Sequence, residues 1–282
     1  MTKFLVTTDF SAHSRRGIRF AFQFALQTQA EITLFHVLDL FDPDLAFDSA
    51  TATPQLRWTK AIQLKTDQLK KFLHAVFPKG IPDVPYNVVC NKLERTLAQT
   101  IINYTKTHNF SMVFCSENGA SLFKKVLGSL PETLLNNCPV PLCIVPKQYT
   151  TSPLNSLCYT TDMQHIDDEM HWIENWRNLL NIPLKVLYFD YEINLQEHQK
   201  TLHQVATTYE NKDVQFHYIK LIPQSTFKTL LQETLKVVDP SLVIVFRKQN
   251  RSIVNRMLFP GKTISLIMEN NLPLLVVRKE SE

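Results

Sequence analysis

Two tandem α/β domains, each a doubly wound parallel sheet of five strands, are what this 282-residue chain spells out. Three observations point there. Short apolar, β-branched runs alternate with segments of helical period, as parallel strands buried on both faces and joined by helices must. The alternation starts afresh near the midpoint and repeats its strand order and its closing signals. The length also suits two cores of about 140 residues each.

In the first half, Lys3 to Thr7 (KFLVT) reads as a buried strand. It ends at Thr8-Asp9-Phe10-Ser11, where Asp9 and Ser11 are good helix-capping residues. A helical pattern follows, with Ile18, Ala21, Phe22, Ala25 and Leu26 on one face and Arg15, Arg16, Arg19 and Gln23 largely opposite. Glu31 to Leu38 (EITLFHVL) is the next strand, completing a strand–helix–strand unit. Asp39 to Pro54 has no period and is expected to be a loop. Leu56 to Phe77 reads as a helix, stopped by Pro78, Gly80 and Pro82. Then come a strand at Tyr86 to Cys90, a helix at Glu94 to Thr107, a strand at Ser111 to Cys115, a helix at Ser129 to Asn137 and a strand at Pro141 to Pro146.

Lys147 to Pro153 (KQYTTSP) is polar and ends in proline, a linker by composition. Domains are therefore expected over 1–148 and 149–282. Beyond the linker, Ser156 to Thr160 leads into Thr161-Asp162 as Val6-Thr7 leads into Thr8-Asp9. Leu184 to Phe189, Val214 to Leu221, Ser241 to Phe246 and Leu272 to Val277 supply the remaining strands in the same order. Asn136-Asn137-Cys138-Pro139-Val140-Pro141 and Glu269-Asn270-Asn271-Leu272-Pro273 close the two copies alike. The chain reads as an internal duplication.

Composition excludes several classes of function. Hydrophobic residues at 44% and charged residues at 20% are ordinary for a folded soluble protein rather than a disordered one. A net charge of +4, with Lys and Arg scattered, gives no footprint for nucleic acid. No apolar run approaches the ~20 residues of a membrane span, and no signal peptide is evident. The five cysteines (Cys90, Cys115, Cys138, Cys143 and Cys158) lack C-x-x-C spacing and several lie in apolar runs. They read as reduced thiols of a cytoplasmic protein rather than a disulfide frame or zinc site.

Taken together, three segments resemble the universal stress protein family. They are Val6-Thr7-Thr8-Asp9-Phe10-Ser11-Ala12-His13-Ser14, then Leu34-Phe35-His36-Val37, then Gly119-Ala120-Ser121-Leu122-Phe123-Lys124-Lys125-Val126-Leu127-Gly128-Ser129 leading to Pro139-Val140-Pro141. They span nearly the whole first half in the family's order. The second half is similar to a diverged copy. The resemblance implies two domains packed as a pseudo-twofold pair, one chain mimicking the family's homodimer, with further dimerisation open.

Nucleotide-binding members of that family carry G-x2-G-x9-G-[S/T] after the fourth strand. The glycines admit phosphate to backbone amides, and the final Ser or Thr opens a helix whose N-terminus favours anions. Mapped by resemblance, Ser116 stands at the first glycine, Gly119 at the second, and Gly128-Ser129 at the closing pair. The stretch between Gly119 and Gly128 is one residue short, and Pro131 behind it has no N–H. Adenine recognition falls by the same resemblance to Asp9 and to the backbone near Val37, both at carboxyl ends of strands. The implied ligand is ATP, ADP or AMP, with no metal beyond magnesium accompanying the nucleotide. Set against this, Asp9 and Ser129 could simply be helix caps.

The second half has Arg247, Lys248, Arg251 and Arg256 where the loop would be, and reads as a structural partner. His165, Asp167, Asp168, Glu169 and His171 invite a metal reading, yet acids in a first helical turn complement its dipole without one. Ser11 and His13 lie near Asp9 but without a third orienting group. Trp172 and Trp176 share one helix face. A stress-response binding module, not an enzyme, is the leading expectation. An adaptor that binds protein partners and no nucleotide is the alternative. A weak ATP hydrolase would need a water-activating group and a magnesium ligand, and neither is identifiable.

Overall fold

The computed structural model describes residues 2–39, 53–117, 130–163, 165–190, 195–209, 213–220, 226–247 and 260–278. The chain divides into two compact units, Met1–Lys147 and Gln148–Glu282. The first holds β1 (Lys3–Thr7), α1 (Ala12–Thr28), β2 (Glu31–Leu38), α2 (Pro54–Val76), β3 (Tyr86–Lys92), α3 (Leu97–Thr107), β4 (Met112–Ser116), α4 (Leu130–Asn137) and β5 (Leu142–Val145). Its strands run parallel in the order β3-β2-β1-β4-β5. The second holds β6 (Leu157–Thr161), α5 (Ile166–Leu180), β7 (Leu184–Asp190), α6 (Leu195–Thr208), β8 (Val214–Lys220), α7 (Phe227–Val238), β9 (Leu242–Arg247), α8 (Pro260–Glu269) and β10 (Leu274–Arg278). Its order is β8-β7-β6-β9-β10, the same doubly wound plan, again all parallel. In each unit the winding reverses beside the first strand, the kind of switch point at which doubly wound sheets place their ligands.

Cap chemistry moves two helix starts from their expected positions. Thr53 is the N-cap of α2, its hydroxyl accepting from Leu56 N at 3.4 Å, so Pro54 opens a helix rather than closing a loop. Thr96 caps α3 by accepting from Gln99 N, so that helix begins at Leu97 and not at Glu94. The expected loop over 39–54 otherwise falls on residues 40–52, outside the described residues.

The duplication is written into the backbone as well as the sequence. Phe10 (φ 62°) and Met163 (φ 65°) are both left-handed, a costly state for side chains of this bulk. Each donates its N–H to a threonine hydroxyl two residues earlier: Phe10 to Thr8 Oγ1 at 3.2 Å, Met163 to Thr161 Oγ1 at 2.9 Å. Gln29 and Asn181 end α1 and α5 in the same left-handed way, their N–H groups returning to Ala25 O and Arg177 O. Val113 N bonds Pro141 O, and Val243 N bonds Pro273 O, so β4–β5 and β9–β10 align residue for residue.

The core of the first unit is aromatic. Phe4, Phe20, Phe24 and Phe114 are fully buried, and the ring of Phe114 lies 5.2, 5.6 and 6.2 Å from those of Phe4, Phe24 and Phe20. The expected helix face needs one correction: Leu26 is 45% exposed, while Phe20 and Phe24 are buried. A helix laid on a sheet and touched by α2 buries a wider arc than a single stripe.

None of the five cysteines forms a disulfide, and all five are buried. Burial pushes the Cys115 and Cys158 thiols up to about 12, and Cys143 well above its usual range; neighbouring Cys138 raises Cys115 further. The folded protein is therefore expected to resist thiol-labelling reagents at pH 8, with all five sites reacting after denaturation. The same shifts set a pH window. Thiols held neutral by the fold lend stability that is complete below the unfolded thiol's pKa, near 9.0, and is lost as pH climbs toward about 12. Denaturation midpoints measured from pH 8 to 11 should fall steadily above pH 9.

Candidate functional site

The site is built where β1 gives way to α1. Thr8 N still donates to Phe35 O at 3.0 Å, extending the β1–β2 ladder by one residue. The Thr8 hydroxyl then takes the Phe10 N–H and meets Ser14 Oγ at 3.0 Å. Asp9 Oδ1 accepts from Ser11 N at 3.0 Å, and Ser11, the true N-cap, accepts from Ser14 N at 3.1 Å. Asp9 thus steadies the turn rather than capping the helix. Its carboxylate stays at the surface.

His36 Nδ1 lies 2.8 Å from Thr8 O. A carbonyl only accepts, so Nδ1 carries the hydrogen. Phe10 packs on the His36 ring at 4.7 Å and on Phe72 at 5.3 Å, with Arg15 over Phe72 at 4.9 Å and Lys65 near the Phe10 face at 5.8 Å. These contacts compensate the left-handed backbone of Phe10. Neither His36 nor Phe10 could be assigned a role of its own from the sequence, because His36 lies within a strand's apolar run, Phe10 in the turn after β1, and their meeting depends on an unusual φ.

A cavity of about 40 Å³ opens at the carboxyl ends of β1, β2 and β4, lined among others by Thr8, Asp9, Ser14, Val37, Cys115 and Ser116. Asp9, Val37 and Ser116 are brought together there. Gly119, Gly128 and Ser129 lie outside the described residues. Ser116 is the last residue of β4, in register with Val145, and not the first residue of a loop. It is only 7% exposed, and its Oγ finds no hydrogen-bond partner among the described residues. The chain leaving β4 is pinned at once: Glu117 N donates to Val145 O, the Glu117 carboxylate accepts from Lys147 N, and Arg16 donates to Lys147 O.

The cavity lining is largely apolar, with Phe35, Val37, Leu97 and Ile101 among it, and Thr8, Asp9, Ser14 and Ser116 supply its polar groups. The Cys115 thiol is held neutral, and the Ser11 hydroxyl is engaged with Ser14 N, so Ser11 and His13 form no nucleophile–base pair. Among the described residues no group of three His, Cys, Asp or Glu side chains is placed to hold a metal ion. Of the acids Asp167, Asp168 and Glu169 in the first turn of α5, Glu169 is buried, and the neighbouring His165 is an exposed N-cap.

The corresponding position in the second unit holds an aromatic ring instead of a hydroxyl. The aligned carbonyl bonds of β4 and β9 set Phe246 where Ser116 stands. Its ring lies 5.7 Å from Tyr159 and 5.7 Å from Trp172, which in turn contacts Trp176 at 6.0 Å. Tyr159 is fully buried and its hydroxyl has no partner among the described residues. Removing an unsatisfied buried hydroxyl without changing shape should stabilise, so Tyr159→Phe is expected to gain about 1–3 kcal/mol in urea denaturation.

Three comparisons bear on this architecture. The family model described as "Universal stress protein family" matches residues 1–146. No curated protein matches the chain. Among solved structures, a universal stress protein from Archaeoglobus fulgidus DSM 4304 superposes with a TM-score of 0.70 at 16% identity, over 99% of this chain and 98% of that one. A putative universal stress protein from Pseudomonas aeruginosa UCBPP-PA14 gives 0.61 at 14% identity, over 99% and 93%. The cytoplasmic domain of a prokaryotic cation chloride cotransporter gives 0.50 at 13% identity, over 98% and 94%. At these identities the structures share the fold.

Proposed function

The chain belongs to the universal stress protein family, and on that footing we propose that its first unit is a stress-response module that binds an adenine nucleotide. The observation that carries the reading is the cavity at the carboxyl ends of β1, β2 and β4, lined by Asp9, Val37 and Ser116, whose buried hydroxyl has no hydrogen-bond partner among the described residues. In this reading Asp9 and the backbone at Val37 take the adenosine. Ser116 donates to phosphate, together with Gly119, Gly128 and Ser129, whose part rests on the sequence resemblance alone. ATP, ADP and AMP are the candidate ligands, magnesium enters only with the nucleotide, and no catalytic step is assigned. The second unit, its equivalent position held by Phe246, serves as a structural partner. We place the protein in the cytoplasm, a reading supported by five cysteines of which none is in a disulfide. No helix among the described residues is long and apolar enough to cross a membrane.

One observation favours the adaptor reading. The described residues enclose only about 40 Å³, against the ~300–1,000 Å³ of ordinary small-molecule pockets. Titration calorimetry with ATP, ADP and AMP separates the two. The nucleotide reading expects saturable heat with a Kd on the order of micromolar, abolished by Gly128→Glu. A flat titration at ~100 μM protein leaves the adaptor.

A further inference from the structure

Gly17 sits inside α1, where a glycine ordinarily weakens a helix relative to alanine. A β-carbon on residue 17 would stand 2.2 Å from Ser116 Oγ, well inside contact, yet 3.5 Å from Ser116 Cβ and 3.7 Å from its backbone nitrogen, both ordinary distances. The conflict is with the hydroxyl alone. Register explains the meeting: Ser116 lies on the same face of the sheet as Phe114 and Val6, the face covered by α1. The missing side chain of Gly17 is a notch in the helix, and the hydroxyl of Ser116 occupies it.

We propose that Gly17 is a positioning residue of the nucleotide site, seating the Ser116 hydroxyl so that it remains an unspent donor at the cavity until an anionic phosphate arrives. The part played by phosphate rests on the nucleotide reading above; the seat itself does not. A hydroxyl buried without a partner is unfavourable on its own. It becomes favourable when a charged acceptor enters the adjoining cavity, since hydrogen bonds to ionised groups are the stronger kind. Gly17 therefore acts through Ser116 and not on the ligand directly.

A double-mutant cycle on the full chain reads both parts. Without nucleotide, Gly17→Ala in the wild-type background should lower the melting temperature, by about 2–4 °C. In a Ser116→Ala background, where no γ-oxygen remains to collide, the same substitution should raise it by a similar amount through helix propensity. A rise in both backgrounds would overturn the seat. In calorimetry with ATP, Gly17→Ala and Ser116→Ala should each weaken binding about tenfold, and the double variant should bind no more weakly than either single. Losses that multiply to about a hundredfold would mean that Gly17 acts independently of Ser116, and the proposal would fall. A wild-type protein that gives no heat with ATP defeats the nucleotide reading, while the melting cycle still judges the seat by itself.

Discussion

Phe114→Ala is expected to destabilise the first unit by about 3–5 kcal/mol, read as a lower urea midpoint at unchanged slope. Phe114 is fully buried at the centre of β4, with Phe4, Phe20 and Phe24 all within 6.2 Å ring to ring. Deleting its ring removes the transfer free energy and leaves a cavity that three tilted or edge-on neighbours on a strand and a helix can only partly close. Phe114→Leu should cost markedly less, because much of the volume stays. The surface offers nothing comparable. The Lys3–Glu31 pair, 3.4 Å apart with side chains 48% and 34% exposed, is worth about 0–1 kcal/mol at most. If Phe114→Ala cost less than Lys3→Ala, the aromatic cluster would not be what holds this unit together.

Ser116→Phe is expected to abolish ATP binding, by more than about a hundredfold, while leaving a folded chain. It puts into the first unit the residue that the second unit already carries at the aligned position. Phe246 shows that the end of the fourth strand accepts a ring when aromatic neighbours surround it. The cavity beside Ser116 holds about 40 Å³, too little for a phenyl ring and a ligand together. Overpacking costs about 1–3 kcal/mol, so near-native circular dichroism with a somewhat lower melting temperature is the expected control. Undiminished ATP affinity in a folded Ser116→Phe variant would move the site away from β4.

The alternation of strands and helices was legible throughout, since a buried parallel strand and an amphipathic helix each leave their own period in the residues. The duplication was legible from Thr8-Asp9 and Thr161-Asp162 and from the closing Asn-Asn segments. The sequence also named residues that meet: Asp9, Val37 and Ser116 line one cavity. Their surroundings were less legible. Asp9 looked like a helix cap but accepts from Ser11 N, and Ser11 is the cap. Ser116 looked like a loop residue but is the final paired residue of β4.

What residues alone could establish here is the order and kind of elements, because periodicity, capping and turn chemistry act over a few neighbours. Contacts between distant segments needed the fold. Nothing in local pattern links Gly17 to Ser116, or carries Phe10 into a left-handed backbone against His36 and Phe72. Nor does it tell that Phe246 holds in one unit the position that Ser116 holds in the other. Those outcomes follow from strand register, which sets every side chain on one face or the other and is fixed only when strands far apart in the chain pair.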